Sequence, residues 1–394
     1  MSIIKHYKEI KKAIRKTKFA DWYFISKYSF SPYMACEHAC KYCDGRAEKY
    51  YVEGDYEKDI IIRKNLPDIL AIELKKLREP GTISIGSGIS DPYQPVETEQ
   101  EIMRKCAEIL AENNFSVSVL TKSSLVGRDI AIWKKVHEKN GFTLMFSITT
   151  LDDTIRKIFE PNASSVDERL ETLATFKSLG IPVGVLSMPF LPYLTDTNEN
   201  ISNLMKKLSK LGVDFVLPNG LTLRPGKQKE IFFKTLKTHF PQLLHKYQAL
   251  YSNNLQSGMP LYSYRKNLYP RMGKIISEYS IPINIPHYIY KGKFALYDEL
   301  YIILCHLKKL YFRKGVEITS IQKCVERYKN WLIEEKKFFN RRRKLHYIYL
   351  EEKLKRLIKT DEIFDIIQNK KLCEFIKKIV LERMTFDYIG LNLK

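Results

Sequence analysis

No second pair of closely spaced cysteines and no H-x3-H arm accompanies Cys36, Cys40 and Cys43. The usual zinc module, with two ligands from each of two arms, therefore lacks its second half. Cysteine is scarce elsewhere: seven in 394 residues, with Cys106, Cys305, Cys324 and Cys373 standing far apart. An odd and scattered set argues against a disulfide framework and for a reducing compartment. The first twenty residues are basic and lack the apolar core of a signal peptide. The uncharged run 180–195 contains Pro182, Pro189 and Pro192 and is too short to span a bilayer. There is no internal repeat and no low-complexity tract. These absences predict a soluble, cytoplasmic protein.

What is present is a core-forming composition and an excess of positive charge. Hydrophobic residues make up 44% of the chain, which excludes global disorder. The length suits two domains, or one large α/β body with an appendage. Net charge is +21, and residues 253–394 alone hold 29 Lys and Arg against 15 Asp and Glu. Such a surplus favours polyanions, nucleic acid first among them. Lysine written on solvated helix faces explains it equally well.

Between about residues 80 and 225 short apolar runs alternate with amphipathic stretches. The runs 82–88, 116–123, 142–150, 181–190 and 213–218 read as buried strands. Thr98 with Glu101, and Ser165 with Glu168, read as capping boxes that start the helices between them. An earlier strand near Trp22–Ser29 would feed the cysteine loop and make six βα units. The expected fold is α/β, a partial (β/α)6 barrel with its site at the C-terminal strand ends; a doubly wound open sheet is the alternative. The expected domains are a basic lead over 1–25, the barrel over 26–250 and a mostly helical, basic C-terminal domain over 251–394.

The stretch "SPYMACEHACKYCDGR" (31–46) carries C-x3-C-x2-C. His38 would complete a Cys3His set, but four ligands within eight residues are cramped around one zinc ion. Three thiolates suit an iron–sulfur cube better, and they leave one of its four irons without a protein ligand. With an aromatic residue, Tyr42, before the last cysteine, this loop resembles the signature of the radical S-adenosylmethionine (SAM) superfamily. Within it the chain is similar to the spore photoproduct lyase-like branch, also labelled DNA repair photolyases, over roughly residues 30–225. "GSGISDPYQPVE", "LTKSSLVGRDI", "FSITTLDD", "EPNASSVDERLETL" and "GIPVGVLSMPFLP" extend the likeness in order.

The resemblance implies a [4Fe-4S] cluster on Cys36, Cys40 and Cys43, with SAM on the open iron. It implies reductive cleavage of SAM to methionine and a 5′-deoxyadenosyl radical that abstracts hydrogen, driven by an external flavodoxin- or ferredoxin-like electron donor. It also implies a SAM seat made of Tyr42, Gly86, Gly88, Ser90, Asp91, Lys122, Ser147, Glu160 and Arg169. Ser90 and Asp91 would accept from the SAM ammonium, Lys122 would pair with its carboxylate, and Ser147 would touch the ribose. Two departures separate the chain from authentic lyases. Their hydrogen-donor cysteine before the Ser-Asp pair is absent from Gly86-Ser87-Gly88-Ile89, and Asp44 stands where they keep a tyrosine. The substrate stays open, with nucleic acid one candidate. An iron–sulfur nucleic-acid-binding or redox-sensing protein without SAM chemistry is the alternative.

Cys106, Cys305, Cys324 and Cys373 sit in helical patterns and are expected in the core. The segment 334–359 interleaves Lys336, Lys337, Arg341, Arg342, Arg343 and Lys344 with Phe338, Phe339, Tyr347 and Tyr349. Single-strand binding would use such a pattern, but an amphipathic helix with its aromatics inward is favoured.

Overall fold

The apolar runs form strands whose residues are buried throughout, as expected of a parallel sheet covered on both faces. The computed structural model describes residues 3–86, 88–341 and 347–394, apart from the side chains of 339–341. The chain divides into two compact units. The first comprises Met1–Ile14, Phe30–Leu74 and Ser84–Ile283; the second comprises Arg15–Ser29, Lys75–Ile83 and Asn284–Lys394. The boundaries expected at 25/26 and 250/251 differ from this division, because two early segments join the C-terminal helices.

Five strands, β1 (Ile83–Ile85), β2 (Val117–Thr121), β3 (Phe142–Ser147), β4 (Val183–Leu186) and β5 (Phe215–Val216), lie in the order β5-β4-β3-β2-β1. The pairs β2–β3, β3–β4 and β4–β5 are parallel, with Thr121 opposite Phe146 and Ser147 opposite Leu186. The order is open, a partial barrel. Helices α1 (Ile102–Ala111), α2 (Ile130–Asn140), α3 (Val166–Ser178), α4 (Asn198–Leu211) and α5 (Lys227–His239) alternate with the strands. Trp133 of α2 stacks on Phe142 of β3 with ring centroids 4.5 Å apart.

Ser165 and Glu168 form both halves of the capping box at the start of α3. The Thr98–Glu101 box does not form. Glu101 sits in the left-handed region at φ 51, and the carboxylate of buried Glu97 instead accepts from the backbone of Met103 at 2.9 Å and of Arg104 at 3.2 Å. The early strand exists as Ser26–Phe30, but it pairs antiparallel with Arg15–Asp21. It is therefore half of a hairpin, and it also lies beside β1 in the sheet order, so that the sheet counts seven strands with Arg15–Asp21 at its edge.

In the second unit that hairpin accompanies α6 (Leu296–Arg313), α7 (Thr319–Arg341), α8 (Tyr347–Lys359) and α9 (Lys370–Val380). Cys305, Cys324 and Cys373 are buried there, as Cys106 is in α1. Lys27 and Asp298 have fully buried side chains joined at 2.6 Å. Lys336 also reaches Asp298, at 2.8 Å. Burial, helped by the Lys27 ammonium and opposed by Asp298, brings Lys336 down to about 8. Lys336 is thus part of an internal ion network and not a phosphate contact. Lys337 is exposed and pairs with Glu334, while Arg342, Arg343 and Lys344, with the side chains of Phe339 and Arg341, lie outside the described residues. Among the described residues, no helix is long and apolar enough to cross a membrane.

Removing one partner of a buried ion pair leaves an uncompensated charge. Asp298→Ala should cost about 3–5 kcal/mol, read as a lowered denaturant midpoint; Lys337→Ala, at an exposed pair, should leave that midpoint nearly unchanged.

Candidate metal and cofactor site

Three tight turns bring the cysteines together. The carbonyl of Cys36 accepts from Ala39 N at 3.2 Å, that of Cys40 from Cys43 N at 3.3 Å, and that of Cys43 from Arg46 N at 3.2 Å. Each cysteine thus opens a turn closed three residues later. Ala35 and Ala39 adopt φ of 63 and 54, which lets the chain reverse so often. The loop is fastened by Cys36 N to Tyr56 O, by Lys41 N to Phe159 O, and by the Arg46 guanidinium to Cys40 O. All three thiols are free. Cys36 and Cys40 are buried, and Cys43 is half-buried with its sulfur 3.2 Å from the Tyr56 hydroxyl. Burial pushes the Cys40 thiol up to about 12 despite the pull of Lys122, and burial with the Asp91 charge raises Cys36. A bound metal cation would have to displace these protons.

One cavity of about 70 Å3 gathers nine of the predicted residues: Cys36, Cys40, Cys43, Gly86, Gly88, Ser90, Asp91, Lys122 and Ser147. They arrive from the cysteine loop, the turn after β1, the end of β2 and the last residue of β3. Lys122 faces the Tyr42 ring at 5.8 Å. Burial opposes its charge, but Cys40 and Glu160 outweigh burial and hold its pKa above the ordinary lysine value. Gly86 has φ +90, and a Cβ there would meet the Leu120 carbonyl at 1.9 Å. It is needed to let the turn lie against β2. Gly88 is exposed, with nothing near its missing Cβ, and Ser87 lies outside the described residues.

Tyr42, Glu160 and Arg169 stand together just behind this cavity and line an adjoining one. Glu160 accepts from the Tyr42 hydroxyl and pairs with Arg169 at 2.6 Å. Arg169 also donates to the carbonyls of Ser147 at 2.8 Å and Ser164 at 2.9 Å. All three side chains are buried. Burial works against the Glu160 charge, yet Arg169 and Lys122 hold its pKa below the usual value.

Asp91 is held by its own chain through three hydrogen bonds. Its carboxylate accepts from Tyr93 N at 2.9 Å, Thr121 Oγ1 at 2.7 Å and Lys122 N at 2.8 Å. His38 Nε2 lies 3.3 Å away. Burial opposes ionisation, but His38, Thr121 and Tyr93 together hold the carboxyl down at about 2. Three further side chains were not singled out in the sequence. Gln94 receives Glu37 N at 2.8 Å and donates to Ser90 Oγ at 3.1 Å. Asn162 donates to the Glu37 carbonyl at 2.7 Å, and Tyr56 touches Cys43. Gln94 and Asn162 lie inside the strings that carry the family resemblance; that was the available signal. Among the described residues, no three His, Cys, Asp or Glu side chains converge as ligands of a single metal ion.

Comparison with known proteins identifies the family. The Radical SAM superfamily model matches residues 30–223. An uncharacterized protein of Methanocaldococcus jannaschii is 30% identical over 187 residues, 47% of this chain and 67% of the relative. An uncharacterized protein of Mycobacterium tuberculosis is 27% identical over 262 residues, 65% of this chain and 75% of the relative. Among solved structures, a tyrosine-to-phenylalanine mutant of spore photoproduct lyase has TM-score 0.52 at 16% identity, covering 70% of this chain and 79% of the other. A double mutant of the same enzyme, with AdoMet and dinucleoside spore photoproduct bound, has TM-score 0.51 at 17% identity with the same coverage. These structures share the fold. The chain belongs to the radical SAM superfamily. It is a radical SAM enzyme, and a [4Fe-4S] cluster and SAM are the cofactors that class implies.

A carboxyl depressed from 3.8 to about 2 stabilises the fold fully above the unfolded value, and that stability is lost as pH falls towards 2. Asp91→Asn should remove about 2 kcal/mol at neutral pH and flatten acid unfolding between pH 4 and 2, measured by circular dichroism.

Proposed function

We propose that Cys36, Cys40 and Cys43 each take one iron of a [4Fe-4S] cluster and that Lys122, Ser90 and Ser147 seat SAM on the fourth. The observation that carries this reading is the meeting of three free thiols, a lysine and two hydroxyls at one cavity. A cube draws each thiolate to a different iron, whereas one zinc ion needs all its ligands at a single point. The fit to the cube is therefore the better one.

The chain's own residues divide the work. The Lys122 ammonium stands beside Cys40 and Cys43, where a carboxylate can pair with it. Asp91 holds the Lys122 backbone and, lining the same cavity with three hydrogen bonds on four acceptor sites, keeps one for the SAM ammonium. Ser90, held from one side by Gln94, offers its hydroxyl to that ammonium, and Ser147 offers one to the ribose. Tyr42, Glu160 and Arg169 form a neutralised wall behind the cysteines that keeps water out. At about 70 Å3 the cavity is well below the ~300 Å3 of a small ligand pocket, so the adenosyl portion of SAM extends beyond it. The cofactor pair supplies reductive cleavage of SAM, giving methionine and a 5′-deoxyadenosyl radical that abstracts hydrogen from the substrate. Electrons come from an external flavodoxin- or ferredoxin-like donor in a reducing cytoplasm. Nucleic acid is one candidate substrate class, compatible with the +21 net charge. Repair of thymine dimers is not supported, because an ion-paired Asp44 carboxylate has no hydrogen atom to relay.

Anaerobic reconstitution should load about four irons per chain, and dithionite with SAM should then yield 5′-deoxyadenosine. A loaded cluster that yields none would refute SAM chemistry. Cys40→Ala should lose both iron and cleavage. Lys122→Ala should keep the iron and raise the KM for SAM about 10- to 100-fold, the worth of one charge-assisted hydrogen bond.

A further inference from the structure

One short segment grips the cysteine loop on both sides of Cys43. Before it, the carbonyl of Tyr42 accepts from Gln228 Nε2 at 2.9 Å. After it, Asp44 Oδ1 accepts from Arg224 Nε at 2.6 Å. The two arms are linked, since Gln228 Oε1 accepts from the backbone N of Arg224 at 2.8 Å. Gln228 is fully buried and also donates to Thr222 O at 2.9 Å. Arg224 Nη1 reaches the Gln256 carbonyl at 2.6 Å, and the second Asp44 oxygen accepts from Tyr50 Oη at 2.7 Å.

The side chains suit this task. An amide can accept and donate at once, which no hydroxyl or carboxylate does with the same reach. A guanidinium serves Asp44 and Gln256 with separate N–H groups held in one plane; a lysine ammonium has no such fork. The grip falls on Cys43, the half-buried one of the three cysteines and so the one most open to solvent. Holding the backbone on both sides leaves its thiol few positions to lose on binding. Partners outside the ligand set commonly tune metal affinity in this way.

We propose that Arg224, Gln228 and Asp44 are positioning residues that clamp Cys43 against the cluster and slow the release of the iron it holds. The clamp rests on the cluster reading above. It takes its acceptor from the residue at which the chain departs from the lyases, Asp44.

The test compares wild type with Arg224→Ala, Gln228→Glu, Asp44→Asn and a control, Leu208→Ala, which opens the core in α4. Iron release from reconstituted protein to a chelator is timed without oxygen. Melting and hydrogen exchange of residues 40–46 are measured on the apoprotein. Arg224→Ala and Gln228→Glu should release iron on the order of 10- to 100-fold faster, with faster exchange at 40–46. Asp44→Asn keeps an oxygen for Arg224 and should stay near wild type. Equal release from wild type and Arg224→Ala overturns the clamp. So does a Leu208→Ala protein that melts as low and releases iron as fast. A wild type that takes up no iron overturns the cluster reading itself, whereas the other two results leave that reading standing.

Discussion

A buried carboxylate must be compensated on every side, and Asp91 meets that demand in a way that assembles the site. Its partners are the backbone of Tyr93, the hydroxyl and following amide at the end of β2, and His38 from the middle of the cysteine loop. One charge therefore ties together three segments that are far apart in sequence. Each reaches its place only if the others do, because an unsatisfied oxygen on Asp91 would cost more than the hydrogen bond it lost.

The same logic operates one layer deeper. Glu160 and Arg169 are both buried, and such pairs contribute little net stability compared with apolar side chains of the same shape. Their geometry is what they add. Arg169 spends its remaining N–H groups on the carbonyls of Ser147 and Ser164, fixing the end of β3, and Glu160 orients Tyr42 beside Cys40. Packed rings of Phe159 and Phe232, centroids 5.5 Å apart, support the wall from behind.

Much of the fold was legible because parallel strands write themselves as apolar runs and α3 announces itself through Ser165 and Glu168. The failures have physical causes. The strand Ser26–Phe30 was readable, but its partner Arg15–Asp21 carries three basic residues and no apolar run, so the hairpin left no signal. The start of α1 is capped by Glu97, whose carboxylate is placed by Arg128 thirty-one residues away. At the site, residue identities were legible from strings shared with the family, while their bonding was not. The intramolecular bonds of Asp91 were not legible because its partners come from segments that composition cannot bring together. Lys336 looked like a surface cation because nothing in its own helix reveals Asp298 beneath it.

The second unit has a further consequence for how the chain is made. Lys27 is committed to Asp298, 271 residues later. At roughly 5–20 residues per second of synthesis, the lysine leaves the ribosome about a quarter to nearly a full minute before its counter-charge. During that interval the hairpin 15–29 carries an ammonium that has Glu79, its partner at 3.4 Å, but not yet Asp298 to neutralise it. Its compensation is complete only when Asp298 arrives. The order of synthesis thus leaves the second unit to close last.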